Sequence, residues 1–186
     1  MKGAIRTSVA LAVSSASSIL TLGGGAFAGV GAAGAAAGTC DASALTLKPG
    51  RTSGAAGTTW YTLEFVNHSK KSCSLSGTPI ARPGFMTYGM IPWEDVGPKS
   101  IRDRFARRGG TVVIAPLKTA SVDLGVGTAA NYRKSTCAPQ SILGVQLTFA
   151  TPARPARFDF TLPKTAVCTK LTSTSITGIA LGTHFP

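Results

Sequence analysis

Two histidines, His68 and His184, are the only imidazoles in the 186-residue chain. Any Ser/His/Asp or Cys/His nucleophile would have to use one of them. His68 lies in the polar stretch 67–71 and His184 is the third residue from the C-terminus. Both read as ordinary exposed side chains. Seven acids are available: Asp41, Glu64, Glu94, Asp95, Asp103, Asp123 and Asp159. Hydrolysis by paired carboxylates needs two of them on different elements facing one cleft. Glu94 and Asp95 are adjacent and point apart, while Glu64, Asp123 and Asp159 fall at polar positions of alternating stretches. Solvent exposure or cross-strand pairing to Lys or Arg accounts for such positions. Met86 and Met90 with a histidine would suggest copper only at a ligand repeat, which is missing, and the two histidines are far apart for any metal. No glycine loop that cradles phosphate follows a strand and opens a helix. No catalytic residue, no metal and no cofactor are therefore expected, and the chain is not expected to be an enzyme.

Two other features carry chemistry. Lys99, Arg102, Arg104, Arg107 and Arg108 crowd one connection that ends at Gly109-Gly110. Guanidinium forks at that density would grip phosphate or carboxylate, or would simply solvate the loop with Asp103 as a partial partner. Just before it, Phe85, Met86, Tyr88, Met90 and Trp93 make an unusually apolar run. They form either a lid over one end of the core or an interaction patch for a partner protein or a membrane interface. The whole chain holds 19 Lys and Arg against 7 Asp and Glu, a formal net charge of +12. Such a balance favours anionic partners.

The elements that must position these residues are strands. Tyr61, Leu63 and Phe65 alternate with Thr62 and Glu64, and the same two-residue period runs through 122–126, 145–149 and 158–162. Weaker strand candidates cover 44–48, 74–81, 111–115 and 172–181, with a bulge at Gly178 in the last. Turn signals separate them at Pro49-Gly50, 54–57, 67–70, Gly109-Gly110, 116–118 and 152–155. No stretch of a dozen residues keeps a helical stripe, although one turn's worth appears within 101–108. The expected architecture is an antiparallel β-sandwich of hairpins and meanders.

Four cysteines, Cys40, Cys73, Cys137 and Cys168, are an even number without a Cys-x-x-Cys motif, as structural disulfides require. Cys40 starts the first strand and Cys73 follows the second, which puts them at the same end of an antiparallel pair. Cys137 precedes one strand of a later pair and Cys168 follows the other. The predicted pairs are Cys40–Cys73 and Cys137–Cys168. Each closes a loop of about thirty residues and is worth roughly 3–4 kcal/mol by loop entropy.

Oxidation fits export. Residues 1–28 read as a secretory signal peptide: Lys2 and Arg6 give the positive start, 8–22 the apolar run, and Ala26-Phe27-Ala28 the cleavage pattern. An uncleaved anchor is the alternative, but four serines interrupt the run and it falls short of the ~20 residues of a span. No transmembrane span is expected in the mature form. Residues 29–39 form a Gly/Ala-rich flexible tether, and 40–186 a single β-sandwich domain. Lipidation of Cys40 is disfavoured, because Ala37 and Thr39 do not make a lipobox and three thiols would remain. Losing Lys2 and Arg6 lowers the net charge by two, to +10.

The chain resembles secreted actinobacterial proteins carrying the domain of unknown function 4232. The resemblance rests on Gly54-Ala55-Ala56-Gly57 before Tyr61-Thr62-Leu63-Glu64-Phe65-Val66-Asn67, on Cys73-Ser74-Leu75-Ser76-Gly77-Thr78-Pro79, and on Asn131-Tyr132 ahead of Cys137-Ala138-Pro139. The four-cysteine spacing agrees, and the Ala, Gly and Arg content suits a high-GC genome. The resemblance implies an immunoglobulin-like sandwich, an extracellular or envelope location and no established activity. Two sites depart from it: Pro116-Leu117 stands where Pro-Gly is usual, and Thr78 where an aromatic residue is frequent.

The function expected is a noncatalytic extracellular or cell-wall-associated binding module, with the basic connection touching an anionic envelope polymer. A structural or protein-interaction role and a hydrolase of unrecognised mechanism are the rivals. Nucleic acid is not the partner expected, because no base-stacking platform accompanies the charge and export argues against it.

Overall fold

The computed structural model describes residues 37–85, 93–102, 110–150 and 155–182, with backbone alone at 101 and 102. The expected signal peptide 1–28, most of the tether and the helical turn considered within 101–108 lie outside the described residues, apart from the strand at 101 and 102. The described chain forms β1 (Leu45–Ala55), β2 (Thr58–Asn67), β3 (Cys73–Ser76), β4 (Ile80–Phe85), β5 (Glu94–Asp95), β6 (Ile101–Arg102), β7 (Thr111–Ile114) and β8 (Thr119–Gly127). A one-turn helix, α1 (Lys134–Cys137), follows, and then β9 (Pro139–Phe149), β10 (Ala156–Cys168), β11 (Thr174–Ile176) and β12 (Ala180–Leu181).

These strands make an all-β, immunoglobulin-like antiparallel sandwich. One sheet runs β1-β2-β8-β11-β6 with β12 also on β8, a second runs β10-β9-β4-β5, and β3 pairs with β7. Among the described residues the β11–β6 pair is parallel and the rest are antiparallel. The alternation read from the sequence sets the inner faces. Leu63, Phe65, Val122 and Leu124 of the first sheet are buried against Val145, Leu147, Phe149 and Phe158 of the second. Phe65 meets Phe149 and Phe158 edge-on, with centroids 5.3 and 4.9 Å apart. Each large side chain so buried is worth about 1.5–3 kcal/mol, and edge-to-face geometry adds to it.

Both disulfides form as the strand order predicts. Cys40–Cys73 has its Cα atoms 4.8 Å apart, and Cys137–Cys168 has them 4.5 Å apart. They staple opposite ends of the sandwich. Cys40 and Cys73 flank the end where Leu45 faces Asn67, whereas Cys137 and Cys168 flank the end where Thr58 faces Gly127.

Several sequence expectations need correction. Pro49-Gly50 is not a turn; β1 runs through it, and its register against β2 shifts between Pro49 and Thr52. An edge strand tolerates this, since the missing Pro N–H faces away from the ladder. The hairpin turn is Ala56-Gly57, with φ of 49° and 77°, as a two-residue turn of the I′ kind requires. The stretch 74–81 is two strands. At Gly77, with φ of 85°, and Pro79 the chain leaves β3 and enters a different sheet as β4. The stretch 172–181 is likewise split at 177–179, with both pieces on β8.

Candidate ligand-binding site

Of the basic connection, Lys99 is exposed between β5 and β6, and Arg102 lies on β6 opposite Ile176. Arg104, Arg107 and Arg108 lie outside the described residues, as do Met86, Tyr88 and Met90. Phe85 is half-buried and packs against the main core. The Trp93 indole lies across Gly84, with Nε1 only 2.7 Å from where a Cβ would stand. These two aromatics therefore contribute to packing over the second sheet.

Among the described residues, several of the groups that could do chemistry are already engaged. His68 is exposed, with its backbone N–H donating to the Ala44 carbonyl at 3.1 Å, and His184 lies outside the described residues. All four cysteines are oxidised. No cluster of three metal-ligating side chains occurs among the described residues. Asp41 caps a short 3-10 turn by accepting from Ser43 N and Oγ, both at 2.9 Å. Asp95 is ion-paired with Arg82, and Asp159 accepts from Gln146 Nε2 at 3.1 Å. Asp123 is only 5% exposed and accepts from the buried Thr62 hydroxyl at 2.7 Å, so this part of the outer face of the first sheet is not solvated.

Arg82–Asp95 is the only salt bridge among the described residues. Cations outnumber carboxylates in the chain by 19 to 7. The imbalance is strongest in the C-terminal part of the domain, where Asp159 is the sole acid from Leu124 onward.

A cleft of about 330 Å³ opens at the end stapled by Cys137–Cys168. Its volume lies within the ~300–1,000 Å³ of small-ligand sites. One wall is the inner face of β2 and β8 at their Thr58/Gly127 ends, where Thr59, Tyr61 and Val126 converge. Thr128 and the 3-10 turn Ala129–Asn131 continue this wall; Thr128 precedes the turn without its hydroxyl capping it. The other wall is residues 163–166 of β10. Here the ladder to β9 loses register between Thr161 and Thr165, because Pro163 supplies no N–H and the edge strand bows outward. The Thr165 hydroxyl donates to the Pro163 carbonyl at 2.6 Å and fixes the bulge.

Among the described residues, Lys164 is the only charged side chain lining this cleft. Arg133 and Lys134 follow the 3-10 turn and are exposed, and Lys170 donates from Nζ to the Ser135 carbonyl at 3.2 Å. A second, smaller hollow of about 170 Å³ lies across Gly127, lined by neutral groups that include Thr58, Tyr132, Thr172 and Ser175. Neither was found from the sequence. The one available signal was a proline followed by a lysine inside an otherwise alternating strand.

No curated protein and no solved structure matches the chain. The family described as Domain of unknown function (DUF4232) matches residues 40–177, which span both disulfides and the strands from β1 to β11. The chain belongs to this DUF4232 family.

Proposed function

We propose that the protein is a noncatalytic, exported binding module that holds an anionic component of the cell envelope by electrostatic attraction. The observation that carries the reading is the charge asymmetry. Asp41, Asp95, Asp123 and Asp159 are taken up by hydrogen bonds or an ion pair, whereas Arg82–Asp95 is the only salt bridge among the described residues and Lys and Arg outnumber Asp and Glu by 19 to 7. Cations in such excess attract polyanions and raise their local concentration. Export is supported by two oxidised pairs, which persist in oxidising compartments. No helix among the described residues is long and apolar enough to cross a membrane. Among the described residues no histidine–carboxylate pair is recorded, and the four cysteines are tied up in disulfides, which supports a module without catalysis. Lys99, Arg102, Arg104, Arg107 and Arg108 belong to the proposed contact surface.

Co-sedimentation of the oxidised protein with purified envelope fractions tests this. Binding should fall as salt rises from 50 to 500 mM, when the Debye length shrinks from about 14 to about 4 Å. It should fall likewise when anionic polymers are extracted and when Arg102, Arg104, Arg107 and Arg108 are changed to Gln. Binding indifferent to all three treatments would refute the proposal.

A further inference from the structure

We infer that the cleft between Tyr61 and the Pro163 bulge seats a sugar unit carrying a single negative charge, with Lys164 as its ionic partner. The inference rests on the envelope-binding reading and locates the ligand within it. A sugar presents C–H faces and hydroxyl edges together, and the cleft offers both complements. Tyr61, Val126 and Ala129 supply apolar surface, while Thr59 and Thr128 supply short hydroxyls and Thr165 Oγ1, its proton committed to the Pro163 carbonyl, supplies an acceptor.

Charge selects the class further. Lys164 is the one cation among the described lining residues, which suits one carboxylate or one phosphodiester on a saccharide. A phosphate-dense ligand would require several converging donors, but the N–H groups of Gly127 and Thr128 already donate to Ser173 and Gly57, both at 2.7 Å. Arg133, Lys134 and Lys170 add no second cation to the described lining. The walls are also held in place before any ligand arrives. The Thr128–Gly57 bond ties the 3-10 turn to the β1–β2 hairpin, and Cys137–Cys168 ties the following helix to the end of β10. Little ordering remains to oppose binding.

The test uses the oxidised chain and amide chemical-shift mapping with three probes: a glucuronate-containing oligosaccharide, its neutral glucose counterpart and inorganic phosphate. The acidic oligosaccharide should shift residues 59, 61, 126–130 and 163–166. Its affinity should fall at least fivefold in Lys164→Gln and about threefold in Thr128→Val, and stay unchanged in Lys48→Gln on β1. The neutral sugar should bind at least fivefold more weakly, and phosphate should leave the cleft unshifted. Shifts confined to other residues, equal affinity in Lys164→Gln, or equal response to phosphate would each overturn the inference. If co-sedimentation stays salt-dependent in that case, the envelope reading survives; if co-sedimentation also fails, both fall.

Discussion

The side-chain amide of Asn67 donates to the Ile114 carbonyl at 2.8 Å and so joins the end of β2 to the end of β7. The same nitrogen donates to the Lys71 carbonyl at 2.8 Å, and Oδ1 accepts from Ser69 N and Oγ at 2.9 and 2.7 Å. Asn67 is fully buried, so the letters of a glycosylation sequon at 67–69 belong here to a structural asparagine.

Replacing Asn67 by Ala leaves the Ile114 carbonyl without its donor in a dry environment and frees the 68–72 turn. The expected cost is about 2–4 kcal/mol, since each buried unsatisfied group costs roughly 1–3 kcal/mol. Asn67→Asp keeps the shape and the Ser69 bonds but removes both donated bonds, so it should be at least as damaging. Urea unfolding of the oxidised variants measures both, and a change below 1 kcal/mol would refute this account.

Leu117 occupies a left-handed backbone conformation, with φ of 61°, while its side chain is 79% exposed. It follows Pro116 in a turn closed by Lys118 N donating to the Ala115 carbonyl at 3.0 Å. The third position of such a turn calls for glycine. Leu117→Gly should raise stability by about 0.5–1 kcal/mol, the relief of roughly 1–2 kcal/mol of left-handed strain less the added freedom of the unfolded chain. Thermal melts should show a higher midpoint; a lower one would mean that Leu117 makes contacts that outweigh the strain.

The Thr78 hydroxyl is buried without a hydrogen-bond partner among the described residues. Thr78→Val preserves the branched shape and removes the unpaired oxygen. It should stabilise the domain by about 1 kcal/mol. A loss of stability in the same urea assay would show that the hydroxyl is satisfied in solution.

Short-range periodicity made the inner face legible. Tyr61, Leu63 and Phe65 alternate because the outer face of that strand holds Thr62 and Glu64, and sandwich packing follows from it. Disulfide pairing was legible for the same reason: strand order fixes which chain ends meet. What was hidden depends on partners far away in sequence. Asp123 reads as a solvated acid until Thr62 is placed opposite it in the neighbouring strand. Residues 74–81 read as one strand because their composition hides the change of sheet at Gly77. The cleft was illegible for both reasons, since its walls come from β2, β8 and a bulge in β10 that exists only against the register of β9.

The two disulfides should prove alike in stability and unlike in function. Their sequence separations are 33 and 31, so loop entropy assigns each about 3.5 kcal/mol. Paired Cys→Ala replacement of Cys40 with Cys73, or of Cys137 with Cys168, should lower the urea midpoint by comparable amounts. Only the second pair frames the cleft: it anchors the helix that follows Ala129–Asn131 to the strand that carries Lys164. Under conditions where both variants remain folded, loss of Cys137–Cys168 should weaken binding of the acidic oligosaccharide at least threefold, and loss of Cys40–Cys73 should leave it within twofold of the parent. Equal weakening would mean that the far end of the sandwich contributes to the site, and no weakening in either would mean that the cleft walls hold their geometry without the crosslink.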